Sequence, residues 1–214
     1  MGPHANQPVV HAGAPLDSAD GVIVMVHGRN ASPQNILSLA EAIDRPNFAC
    51  VAPAAAGGTW YPFSFIAPRE QNEPWLSSAL EVLATVVDGL ILLGFPPEKI
   101  VLLRFSQGAC LSSEFVIRHP RRYGGLCALS GALIGAPGTV WDDVTASLDG
   151  MPVFLGCSDI DAHIPAARVL ESEKVFARLA AHVTRKLYPG MGHLVNDDEI
   201  LEVQTILDEV LSSI

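Results

Sequence analysis

The chain has 214 residues, 49% of them hydrophobic and 17% charged, with a formal net charge of −10. That content supports one packed core and excludes an intrinsically disordered chain. The negative balance argues against nucleic acid as a partner, and Arg118, Arg121 and Arg122, the nearest thing to a basic patch, read as water-facing residues around a helix end.

The first ten residues lack a basic stretch followed by an apolar one, so no secretory leader is read there. His4 and His11 lie near the N-terminus and suggest no chemistry. Apolar, β-branched residues over 21–27 predict a buried strand closed by Gly28. Ser32 caps and Pro33 opens a helix to about residue 43. A short strand follows over 48–51. Glu73-Pro74 opens a long helix through residue 92, which Gly94 stops. Glu81 and Asp88 interrupt its greasy part, so no bilayer span is expected. Strands are predicted over 99–105, 125–130, 153–155 and 183–188, and helices over 111–119, 165–181 and 197–212. The alternation implies a single domain, 1–214, built on a mostly parallel sheet covered by helices. Ligands of such sheets bind beyond the carboxyl ends of the strands. Four loops therefore matter: 27–30, 105–108, 157–161 and 188–193.

Residues 100–108 run from strand to Ser106 and then into small residues that open a helix. This is the setting of a nucleophile elbow, in which a sharp turn lifts the serine oxygen and the helix N-terminus favours developing negative charge. Gly108 is in place two residues after Ser106, but Arg104 stands two before it, where glycine is expected. Such an arginine must thread past a neighbour or force the turn open. Read alone, Ser106 could also be an ordinary helix N-cap.

Together, His27-Gly28, Phe105-Ser106-Gln107-Gly108 and the run from Tyr188 to His193 resemble the phospholipase/carboxylesterase family. The resemblance implies an α/β-hydrolase fold without a large lid domain, a Ser-Asp-His triad in that chain order and no cofactor. By it, Ser106 is the nucleophile and His193 the base, carried by a glycine-rich loop. Asp159 and Asp161 both fit the family acid; Asp159 follows a glycine by three, Asp161 precedes Pro165 by four. Ungapped counting from Pro152 and back from His193 favours Asp161, leaving Asp159 as a turn former. The family pattern gives the oxyanion hole to the backbone N–H groups of Arg29 and Gln107. His27 is expected to shape that loop through its side chain. Asn30 replaces a second glycine, and Asn tolerates left-handed backbone.

Trp60 and Tyr61, after Gly57-Gly58, are expected either as walls of the substrate site or as core aromatics, and Trp75 as a packing residue. His163 either lines the entrance or packs on a helix start. With no lid insertion, the pocket is expected to be open or shallow. No pair of ligands has metal-binding spacing, and Cys50, Cys110, Cys127 and Cys157 form no CxxC motif. The expected partner is a small ester or thioester, in a cytoplasmic setting. A homodimer through the active-site face is implied by the resemblance. Two other readings stand beside hydrolysis. One is a silent hydrolase fold kept for binding, suggested by Arg104 and Asn30. The other is a dienelactone-hydrolase-like enzyme, disfavoured because the elbow holds serine rather than cysteine.

Overall fold

A computed structural model describes residues 2–212. Its seven strands are β1 (Val9–Gly13), β2 (Gly21–Val26), β3 (Phe48–Pro53), β4 (Ile100–Phe105), β5 (Gly125–Leu129), β6 (Pro152–Ser158) and β7 (His182–Tyr188). They lie in one sheet in the order β1-β3-β2-β4-β5-β6-β7. Only β1 runs antiparallel, against β3; every other pair is parallel.

The central strands are apolar on both faces because helices cover both. Side chains alternate along β2: Val22, Val24 and Val26 face one cluster, Ile23 and Met25 the other. The first cluster is covered by α3 (Trp75–Leu92), α4 (Gln107–Arg118) and α5 (Ala166–Arg178). The second is covered by α1 (Pro33–Leu37), α2 (Leu39–Ile43) and α6 (Asp197–Ser212). By length and hydropathy α3 would reach across a bilayer. It instead buries one face, Leu76, Ala79, Leu80, Leu83, Val87 and Leu90, in the core, and turns Glu81, Thr85 and Asp88 outward.

Three local differences from the sequence reading have physical causes. The strand β1 was not anticipated: its residues alternate between exposed and half-buried, the weak signature of an edge. The expected helix over 33–43 breaks at Ser38, whose hydroxyl bonds back to the carbonyl of Asn35 at 2.8 Å. Its start is as expected, with Ser32 and Asn35 capping one another and Pro33 in the first turn. Helix α4 begins at Gln107, four residues before the apolar run that announces it.

Because β2, β4, β6 and β7 are parallel, their carboxyl ends share one edge of the sheet. Here β2 and β4 are neighbours, and the chain leaves them in opposite directions along the sheet, β3 lying outside β2 and β5 outside β4. That reversal places a crevice between the 27–30 loop and Ser106.

Candidate active site

Ser106 links β4 to α4 with φ 56° and ψ −124°. A non-glycine residue there is strained, at a cost on the order of 1–3 kcal/mol. The turn is held from both sides: the Ser106 N–H continues the ladder to the carbonyl of Leu129 at 3.0 Å, and the Ser106 carbonyl accepts from Ala109 and Cys110. Gly108 makes this approach possible. A Cβ at Gly108 would stand 2.3 Å from the carbonyl oxygen of Val26 and 2.7 Å from that of His27.

Three of the four loops converge on the Ser106 oxygen. His193 Nε2 lies 2.9 Å from Ser106 Oγ, and His193 Nδ1 lies 2.7 Å from Asp161 Oδ2. The other Asp161 oxygen accepts the N–H groups of His163 at 2.8 Å and Ile164 at 3.0 Å. Burial pushes the Asp161 carboxyl up, but the hydrogen bonds from His193 and those two amides outweigh it and hold it below the usual range. An ionised carboxylate only accepts, so Nδ1 carries the imidazole proton. Nε2 is then left with a lone pair directed at the serine hydroxyl. This arrangement can take a proton from Ser106 and stabilise the imidazolium that results.

The His193 loop is docked rather than loose. The Gly190 N–H donates to Asp159 Oδ1 at 2.8 Å and the Gly192 N–H to Ser158 Oγ at 3.1 Å. Asp159 therefore anchors the loop that Asp161 addresses directly. The His193 ring rests on Phe105 at 4.8 Å, and the His163 ring meets it edge-on at 4.8 Å.

Gln107 opens α4, so its N–H has no carbonyl within the helix to bond. Gly28 and Arg29 sit across from it at the end of β2. His27 shapes this turn: Nδ1 donates to the carbonyl of Gly28 at 2.8 Å and Nε2 accepts from Ala55 N–H at 3.1 Å. Burial lowers its pKa, so the ring stays neutral. Asn30 adopts φ 57° and donates its N–H to Gly58 at 2.8 Å.

Two side-chain roles escaped the sequence reading, which gave Arg29 and Gln107 importance only through their backbones. The Arg29 guanidinium donates to the carbonyls of Tyr61, Pro62 and Phe63 at 2.7–2.9 Å. The Gln107 amide accepts from Trp60 N–H at 2.9 Å and donates to Tyr61 carbonyl at 2.8 Å. Both brace the 59–63 segment, and no local pattern could reveal contacts this distant in sequence.

A cleft of about 860 Å³ opens over Ser106. Ile36 and Leu39 line one side, Tyr61, Phe63 and Phe65 another, and Leu194 the rim. His163 also lines it. Trp60 does not: it is 0% exposed and sits behind Tyr61, where its indole donates to the His27 carbonyl at 2.9 Å. The wall role expected of Trp60 and Tyr61 together thus falls to Tyr61 alone. His4, read as unremarkable, is buried against Trp60 and Trp75. Among the described residues, no group of three or more potential ligands clusters to hold a metal ion.

A family model described as phospholipase/carboxylesterase matches residues 6–211. The chain belongs to the phospholipase/carboxylesterase family. It is a carboxylic ester hydrolase with the α/β-hydrolase fold. A crystal structure of a phospholipase/carboxylesterase from Dyadobacter fermentans is 38% identical, with a TM-score of 0.92 over 97% of this esterase and 99% of that chain. Acyl-protein thioesterase 1 of Kluyveromyces lactis is 26% identical over 94% of this chain and 97% of its own length. That of Saccharomyces cerevisiae is 30% identical over 56% of this chain, a match spanning only 53% of the yeast protein.

The esterase departs from its family pattern at Arg104. The side chain is 0% exposed, and none of its three guanidinium nitrogens has a hydrogen-bond partner among the described residues. Burial lowers its pKa to about 9. It neither threads outward nor opens the Ser106 turn.

Proposed function

We propose that the chain hydrolyses carboxylic esters or thioesters through an acyl-enzyme on Ser106. Support comes chiefly from the hydrogen-bonded line of Ser106, His193 and Asp161, at 2.9 Å and 2.7 Å. Ser106 Oγ attacks the substrate carbonyl as its proton passes to His193 Nε2. Asp161 keeps the imidazole in the required tautomer and balances its charge. The tetrahedral oxyanion is received by the N–H groups of Arg29 and Gln107, with the N-terminus of α4 adding a favourable dipole. The C–O or C–S bond then breaks, and His193 returns its proton to the departing alcohol or thiol. Water, deprotonated by His193, attacks the acyl-enzyme and releases the acid and free Ser106.

The cleft lining is largely aliphatic and aromatic, and its charged member is Arg29. An acyl chain would lie along the apolar walls. Ester and thioester chemistry use the same groups, and relatives of both descriptions exist among carboxylesterases and acyl-protein thioesterases. A panel of matched oxygen and thioesters separates them.

The same reading includes a single domain, a homodimer through the cleft face and a reducing compartment suited to four free, buried thiols. Sedimentation and cell fractionation test the last two. The enzymatic step is tested with a short p-nitrophenyl ester: wild type turns it over and Ser106→Ala does not. Equal rates would refute the nucleophile. A folded, inactive wild type would favour the silent-fold reading instead.

A further inference from the structure

The segment preceding β1 contributes a histidine that the mechanism does not use. His4 is 1% exposed, and its backbone N–H donates to Ser78 Oγ of α3 at 3.0 Å. Both ring nitrogens are engaged. Nε2 lies 2.8 Å from the Trp60 carbonyl, and Nδ1 lies 3.0 Å from the Ala56 amide nitrogen. A carbonyl only accepts and an amide N–H only donates, so the proton sits on Nε2 and the ring is neutral. The ring is set between two indoles, with centroids 5.4 Å from Trp60 and 5.4 Å from Trp75.

Trp60 carries this fixation to the site. Its indole donates to the His27 carbonyl at 2.9 Å, its ring lies 5.0 Å from that of His27, and its N–H is held by Gln107 Oε1 at 2.9 Å. His27 bounds the turn that presents the Arg29 N–H, and Gln107 presents the other donor. One buried residue thus lies behind both arms of the oxyanion hole.

We propose that His4 is a positioning residue for ester hydrolysis, fixing the 54–61 segment and, through Trp60, the two backbone donors that receive the oxyanion. The inference rests on the Ser106 acyl-enzyme reading. It makes turnover depend on a segment that touches no reacting atom. It also makes the site sensitive to acid. A second proton on Nδ1 would face the Ala56 N–H, exchanging an acceptor for a donor at a contact that needs an acceptor. The titratable neighbour is His27, across Trp60; α3 presents Ser78 and Trp75, and the 54–61 segment presents Ala56 and Trp60, all uncharged. Burial lowers the pKa of His4 and of His27. The neutral form is therefore complete above the ordinary histidine range, and its contribution is lost as pH falls below that range.

The test compares wild type with His4→Phe, which keeps a ring but removes both ring hydrogen bonds, and His4→Gln, which stays uncharged and keeps a donor and an acceptor. The readouts are kcat and KM on a short p-nitrophenyl ester, the rate of fluorophosphonate labelling, and tryptophan fluorescence against pH. His4→Phe should lower kcat and the labelling rate about tenfold with KM nearly unchanged, a fraction of what removing an oxyanion donor outright costs. His4→Gln should recover most of both. Wild-type fluorescence should fall on acidification together with the labelling rate, because protonated His4 lies between two indoles, and His4→Gln should weaken both falls. A folded His4→Phe with wild-type kcat and labelling rate overturns the inference while leaving the Ser106 reading intact. If His4→Phe does not fold, a His4→Gln acid response identical to that of wild type overturns it. A wild type that never labels overturns both.

Discussion

Replacing Arg104 by methionine is expected to stabilise the fold and leave turnover intact. The guanidinium is fully buried without a hydrogen-bond partner, and burial lowers its pKa from 12.5 to about 9. At 1.36 kcal/mol per tenfold change, that difference corresponds to about 5 kcal/mol of charge stabilisation lost on folding. Exchanging buried charges for apolar groups of similar size has stabilised other proteins by about 1–4 kcal/mol, and methionine matches the length of the arginine stem. For a chain of this size, the rise in Tm is on the order of 5–10 °C. The sign with pH is also fixed. Between about 9 and 12.5 the unfolded chain would hold a proton that the folded one has released. Wild-type stability should therefore gain on Arg104→Met as pH rises past about 9. Thermal melts of both proteins near neutrality and at alkaline pH measure this, alongside p-nitrophenyl ester kinetics. A lower Tm for Arg104→Met near neutrality would refute the reasoning, because it would mean that the guanidinium is paired in solution.

Other outcomes follow from the site. Asp161→Asn should reduce kcat by roughly 10³–10⁴-fold by presenting the wrong group to His193 Nδ1. Asp159→Asn, which keeps an acceptor for Gly190 N–H, should stay within a few-fold of wild type in the same steady-state assay. Gly108→Ala should abolish fluorophosphonate labelling and lower Tm, since the added carbon would meet two carbonyl oxygens at 2.3 Å and 2.7 Å. Glu199, buried at the start of α6, is raised by desolvation to about 7. The unfolded chain ionises it first, so stability should fall by about 3 kcal/mol as pH rises from 4.5 to 7. Glu199→Gln, which preserves the reciprocal cap with Asn196, should flatten that fall in pH-dependent denaturant titrations.

The parts legible in the sequence are those written locally. The run through β2 is apolar enough to announce a strand covered on both faces, and parallel order follows from strand–helix alternation. Once the strands are parallel, the loops bearing Ser106, Asp161 and His193 must share an edge. Asp159 and Asp161 both fit the acid position that the family resemblance implies, and ungapped counting from Pro152 and back from His193 favours Asp161, the carboxylate that bonds to His193. What escaped depends on distant partners. The strand β1 is half-exposed along its length and is defined by pairing with β3 across the intervening β2 and helices. His4 reads as an idle polar residue until Trp60, 56 positions away, supplies its acceptor. Trp60 and Tyr61 are adjacent and chemically alike, yet one lies behind the wall and the other forms it. For Arg104 the sequence reading allows two outcomes, threading out or opening the turn, and the structure takes neither.

Intact-mass and peptide analysis after exposure to a fluorophosphonate probes the central claim most directly, because phosphonylation needs an activated serine and a nearby base. One adduct per chain, located on Ser106 and lost in His193→Ala, is the expected result. A folded wild type that stays unmodified, or is modified at some other residue, would contradict it.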